Sequence, residues 1–293
     1  MTNPSSDAAY LCTSRMKLDQ LPSQTIEEIL LFCDPIEVAS VSQCSRFFAT
    51  LIRNPPDQSC LWRELYLLQD LDDPRRCYTP HGLPLYKAEE DVDWKGLLEP
   101  VIRARTVLEK GIVLDNPRDR IEILKTLIRL VSNTPPKDTF SSSRNILWVM
   151  KILHRRSGFF DSGETDSEEE TQLRAKLRTH YGLLRVDVGP EGLVASRAFV
   201  YSWRNHTWET EFGPLLPGSG KVNWVHMQAV NHVMGSYVFD VEREGLPMTL
   251  EKTQMVLPQK GADEKDWAGV SGTWSCSFCF CDHMELRSML FRF

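Results

Sequence analysis

The side chains best suited to chemistry in this chain are thiols and an imidazole near its C-terminal end: Cys276, Cys279, Cys281 and His283. Cysteine and histidine are zinc-ligand types, and the first two cysteines have CxxC spacing. On a strand, however, successive side chains alternate faces. Cys276 then points with Phe278 and Phe280, while Cys279, Cys281 and His283 point the other way, so one ion does not easily collect both sets. A strong zinc signature also needs a second ligand pair at a distance, and the sequence has none. Reduced cysteines packing as small apolar side chains are the simpler reading, with no metal and no other cofactor expected. The Cys–His pair keeps a thiol- or metal-dependent enzyme open as an alternative. His206, His226 and His232 lie elsewhere, and the last two, six apart, do not share a helix face. There is no GxSxG, phosphate-cradling loop, HExxH or Gly-rich dinucleotide loop, so no catalytic residue is expected.

Two further groups of residues have recognition chemistry. Trp203, Trp208, Trp224 and Trp267 offer rigid contact area for a target-binding pocket, or equally the core of a β-rich domain. Residues 161–170 (DSGETDSEEE) hold six acidic side chains and no basic one, which accounts for the whole net charge of −6. With the rest near neutral, neither nucleic acid nor an anionic membrane is expected as a partner. The acidic segment reads as a solvated loop. Ser162, Thr165 and Ser167 are its candidate phosphorylation sites. Thr165 and Ser167 each have Glu three positions later, an acidophilic-kinase pattern. Asp161-Ser162-Gly163 followed by Ser167 resembles a phosphodegron with one extra residue of spacing. A phosphate adds about −1.5 to −2 charges and can create an arginine-binding patch; the competing reading is a plain solvated spacer.

The elements that must position these groups fall into two styles. The 293 residues, 42% hydrophobic and 25% charged, have the composition of an ordinary globular chain long enough for two modest domains. No apolar run approaches the roughly 18–20 residues that span a bilayer. The N-terminal residues 1–17 lack a secretory pattern and read as a disordered lead. Eight cysteines without a signal are expected to stay reduced, in cytoplasm or nucleus. Residues 18–69 read as four short helices: one with Ser23 as a candidate cap and Ile26, Ile29, Leu30 and Cys33 in register, one opened by Asp34-Pro35, one carrying Phe47, Phe48, Leu51 and Ile52, and one with Leu61, Trp62 and Leu65. Residues 70–155 form a helical linker with loops, with helical patterns at 94–109, 118–132 and 145–153. Residues 156–172 are the acidic loop. Beyond it, LLRVDV, GLVASRAFVYSW and TWETEF are rich in β-branched and aromatic residues and read as strands. Asn223 is a plausible cap for a helix to about Tyr237, and GVSGTWSCSFCFC is a candidate strand pair before a short terminal helix.

The stretch 21–65 resembles the F-box motif. The matching residues are Leu21-Pro22, Ile26, Ile29-Leu30, the Asp34-Pro35 turn, Val38, Val41, Cys44, Arg46-Phe47, Leu51, Leu61-Trp62-Arg63 and Leu65. Gln24 stands where an acidic residue is usual, and Cys33 and Val38 replace leucines. Helices this short do not hold alone, and their apolar positions exceed what so small a bundle buries. Leu21, Pro22, Ile26, Ile29, Leu30, Val38, Val41, Leu61 and Trp62 are therefore expected to form a surface that wants a partner. The resemblance implies that the partner is the small Skp-type adaptor of a cullin–RING ligase. Residues 218–230 and 266–286 look like segments of fungal F-box proteins with an uncharacterised C-terminal region. The second also looks, more weakly, like the β-barrel substrate domain of F-box proteins that target cyclin D. That likeness makes Trp267, Gly269, Gly272 and Trp274 a barrel strand and turn.

The expected fold is thus α+β: an α-helical F-box, a helical linker, and a β-rich, barrel-like C-terminal domain over 173–293. The expected function is substrate recognition for a Skp–cullin–F-box ubiquitin ligase, with an unidentified protein target held by the C-terminal domain. The alternatives are an F-box scaffold that builds no ligase, or the enzyme fusion named above.

Overall fold

The computed structural model describes residues 17–53, 58–88, 91–137, 142–154, 157–161 and 166–238. The chain divides into two compact units, one ending at Leu65 and the other beginning at Tyr66.

The expected short helices form, α1 (Ser23–Leu30), α2 (Pro35–Cys44) and α3 (Arg46–Arg53) in the first unit and α4 (Gln58–Leu67) running across its end. Ser23 is the first helical residue and not the cap, which falls to Pro22. Asp34 accepts the Ile36 N–H at 2.9 Å while Glu37 accepts the Asp34 N–H at 2.8 Å, a reciprocal capping box that starts α2. Pro35 occupies the first helical position, where its missing N–H costs nothing. Ser45 Oγ accepts the Phe48 N–H at 3.2 Å and opens α3. Ile26, Leu30, Val38, Leu51 and Ile52 are buried.

The second unit is built on α5 (Trp94–Lys110), α6 (Pro117–Ser132) and α7 (Arg144–His154), which pack on one another. Asp93 and Asn116 cap the first two, and Gly111 in the left-handed region (φ 64°) ends α5. Leu98, Val101, Leu124, Leu127, Ile146 and Val149 fill the space between them. The N-terminus of α7 is capped from afar: Asp72 accepts the backbone N–H groups of Arg144 and Asn145, both at 3.1 Å, and the Ser143 hydroxyl. Helix α6 also packs on α8 (Glu168–Tyr181). After it come α9 (Arg185–Val188), α10 (Pro190–Val200) and α11 (Trp224–Val238), with α11 lying against both α8 and α10.

The expectation of an α+β fold with strands from residue 173 onward is overturned. Among the described residues there is no strand, only isolated bridges such as Leu215 to Val222. Local chemistry explains each reversal. In LLRVDV, Asp187 accepts the Leu184 N–H at 2.7 Å and closes a helical turn. In GLVASRAFV, Pro190 at the first helical position and Glu191 behind it are helix-start chemistry, which strand propensity had outvoted. In TWETEF, Thr210 Oγ1 accepts the Thr207 N–H at 3.0 Å, and Glu211 and Phe212 take left-handed backbone angles (φ 52° and 57°) that no strand contains. The barrel likeness therefore has no strand to rest on here, and Trp267, Gly269, Gly272, Trp274 and the 276–283 thiols lie outside the described residues. The helix expected from Asn223 does form, with Asn223 accepting the His226 N–H at 3.3 Å. The acidic segment also differs from the solvated loop expected of it: residues 168–170 are the first turn of α8.

Candidate functional site

In the first unit, the residues singled out from the sequence separate into two layers. Ile26, Leu30, Val38, Leu61 and Trp62 are buried, and Trp62 Nε1 donates to the Ile52 carbonyl at 3.1 Å. Leu21 and Val41 are half-buried, while Pro22 and Ile29 are exposed. The outer layer also includes Phe47 of the motif and three residues the motif did not highlight, Leu18, Phe32 and Ile36, all exposed. Phe32, at 93% exposure, is the extreme case. It lies just past the end of α1, its N–H donating to Ile29 O at 3.2 Å, in the turn that leads to α2. So large an apolar side chain left in water is a cost that binding can recover.

In the second unit the tryptophans part company. Trp203 and Trp208 are 89% and 84% exposed on short 3-10 turns between α10 and α11. Trp208 meets Phe212 edge-on at 4.6 Å. The turn that carries them is held by Phe212 N–H to Thr207 O (3.0 Å), Gly218 N–H to Glu209 O (3.0 Å) and the His206 ring between Val200 O (2.7 Å) and Phe212 O (3.2 Å). Left-handed non-glycine residues cost energy, so a dense set of bonds has to hold this one in place. Trp224 is instead a packing residue: it lies under Lys176 (4.9 Å to the ring) and beside His180.

Two ionic clusters lie along α8. Glu170, fully buried, accepts from Arg120 Nε at 2.6 Å and Arg174 Nη2 at 2.8 Å, and Asp166 pairs with Arg174 at 3.2 Å. Arg178 pairs with Asp187, whose other oxygen lies 3.5 Å from His232 Nε2. Burial holds the imidazoles of His180 and His232 down to about 4, and His226 is lowered by burial and by His206. Ser167, the one described member of the phosphorylation trio, is exposed and caps α8, its Oγ accepting the Glu170 N–H at 3.2 Å. The Glu three residues on, which made its acidophilic pattern, is the buried Glu170. Ser162 and Thr165 lie outside the described residues.

A cavity of about 250 Å³ opens among α8, α10 and α11, with Arg174, Arg178, Ser196, Gln228 and His232 on its polar side. Ser196 Oγ stands 3.5 Å from His232 Nδ1. Ser196, His232 and Asp187 are thus in sequence, but both separations are long and Asp187 is engaged by Arg178, which makes a poor proton relay. A second cavity, about 390 Å³, is bounded by Leu71, Asp72, Arg76 and Pro135, and its buried carboxylate is committed to capping α7. Among the described residues no grouping of three or more His, Cys, Asp or Glu could hold a metal ion, and no helix is long and apolar enough to cross a membrane.

Residues 18–58, the stretch from the turn before α1 into α4, match the family model of the F-box domain. The chain carries an F-box domain there. No curated protein and no solved structure matches the chain.

Proposed function

We propose that this protein is a substrate-recognition adaptor of a Skp–cullin–F-box type ubiquitin ligase. The F-box match at 18–58 carries the reading, and the apolar side chains left exposed within it support the reading. The Skp-type adaptor covers Pro22, Ile29, Phe32 and Ile36, while Ile26, Leu30, Val38, Leu61 and Trp62 hold those positions in place from within. The second unit presents a protein target, for which Trp203 and Trp208 are the contact residues. Catalysis belongs to the ligase: tethering target and ubiquitin carrier on one assembly raises their effective concentration, and no reacting group of this chain is required. On this reading the protein works in cytoplasm or nucleus.

The test is co-expression with the Skp-type adaptor followed by size-exclusion chromatography with both chains quantified. A one-to-one complex that is lost in the double variant Ile29→Ala, Phe32→Ala, while that variant keeps its wild-type melting temperature, is the expected result. No co-elution of the wild-type chain, or a complex indifferent to both substitutions, sinks the docking surface.

A further inference from the structure

We propose that the cavity among α8, α10 and α11 binds a neutral carboxamide on a short apolar stem, supplied as a free small molecule or as the glutamine or asparagine side chain of a peptide. Arg178 Nε, an obligate donor, is buried with no hydrogen-bond partner, and His232 Nε2, on a side chain only 5% exposed, has no closer neighbour than the Asp187 carboxylate at 3.5 Å. Both residues line the cavity, as do the half-buried Thr171 and Gln228. Buried polar groups in a folded protein are nearly always satisfied, so an unmet donor on a residue that lines a cavity marks what that space holds.

The cavity has two guanidinium groups, yet offers no net positive charge to an anion. Arg174 is neutralised by Asp166 and Glu170, and Arg178 by Asp187. Burial keeps the His232 imidazole neutral near pH 7. A carboxylate guest would therefore enter an already balanced set of buried ions with the Asp187 carboxylate close by. A carboxamide brings an acceptor for the Arg178 N–H and donors for the Gln228 carbonyl or the Thr171 hydroxyl without adding charge. The apolar part of the lining, with Phe160, Ala175, Phe199 and Val225, suits a few methylene groups. The volume is below that of most drug-sized pockets, which limits the guest to a small body or one inserted side chain.

This inference does not depend on the ligase reading, since every residue in it lies in the second unit. Full-length protein is titrated at pH 7 with hexanamide, with hexanoate and with the capped peptide acetyl-Gly-Gln-Gly-amide, by calorimetry. Saturable binding of an amide probe, at least about tenfold tighter than hexanoate, is expected. Binding of hexanamide alone identifies a free small molecule, and binding of the peptide alone identifies a side chain. The affinity should be lost in Ala229→Leu, which fills the cavity, and weakened in Gln228→Leu, which serves alone if the first variant fails to fold. Neither amide binding, hexanoate binding as tightly as the amides, or amide affinity unchanged in the variants that fold overturns the proposal.

Discussion

Phe32 and Val38 are six positions apart in the same unit and have opposite exposures. Val38 is wholly buried on α2, so Val38→Ala, like Ile26→Ala on α1, should remove core contacts and destabilise the first unit by about 2–4 kcal/mol. Trp62→Ala adds the loss of the bond to Ile52 O and should cost about 3–5 kcal/mol. Phe32→Ala should leave the unfolding free energy within about 0.5 kcal/mol of wild type while weakening adaptor binding. Measuring both quantities on each variant separates the layers; equal losses of binding and stability for Phe32→Ala would put it in the core. The motif could not make this distinction, because an apolar residue reads the same whether it faces its own fold or a partner. Glu170 is buried against its surroundings in the sequence. Its neighbours made it look solvated, but it compensates two guanidinium groups. Glu170→Ala should leave the half-buried Arg120 and the buried Arg174 with Asp166 as their remaining carboxylate, a loss of about 1–3 kcal/mol in urea unfolding. A change under about 1 kcal/mol would mean the arginines find water instead.

At the scale of elements, helix starts were legible wherever they were written in adjacent residues. Asp34-Pro35 with Glu37 sets α2, and Asp34→Ala should cost about 1 kcal/mol by removing its capping box. The cap of α7 was illegible for a different reason: its carboxylate, Asp72, comes from more than seventy residues away. Asp72→Ala should therefore cost about 2 kcal/mol, with hydrogen exchange accelerating at Arg144 and Asn145 as the signature. The strands expected after residue 173 failed because β-branched content is a statement about half-buried surfaces, and α10 and α11 supply such surfaces as helices. Gly235 illustrates what packing decides there: a Cβ on it would stand 3.1 Å from Leu183 Cδ1, so α11 approaches the segment after α8 closely at a residue that sequence alone marks as a helix breaker.

For the whole molecule, the distribution of histidine makes the two units respond differently to acid. Residues 1–65 contain no histidine, whereas His180 on α8 and His232 on α11 sit in the second unit with imidazoles held near 4 by burial. An unfolded chain titrates them near 6.5. Above that pH both states are neutral and the packing contributes in full. Between about 6.5 and 4 the unfolded state binds more protons, so stability falls as pH falls, and below about 4 the loss is complete. By pH 5 the loss reaches about 2 kcal/mol for each histidine as an upper figure. Thermal unfolding of the full chain at pH 7 and pH 5 should show the second unit's transition moving to lower temperature while the first unit's changes less. His232→Gln should shrink that shift by up to half. A second unit that gains stability at pH 5 would mean that Asp187 holds a charged His232 in the folded protein, reversing the sign of this dependence. It would also remove the neutral imidazole on which the cavity's preference for an uncharged guest rests.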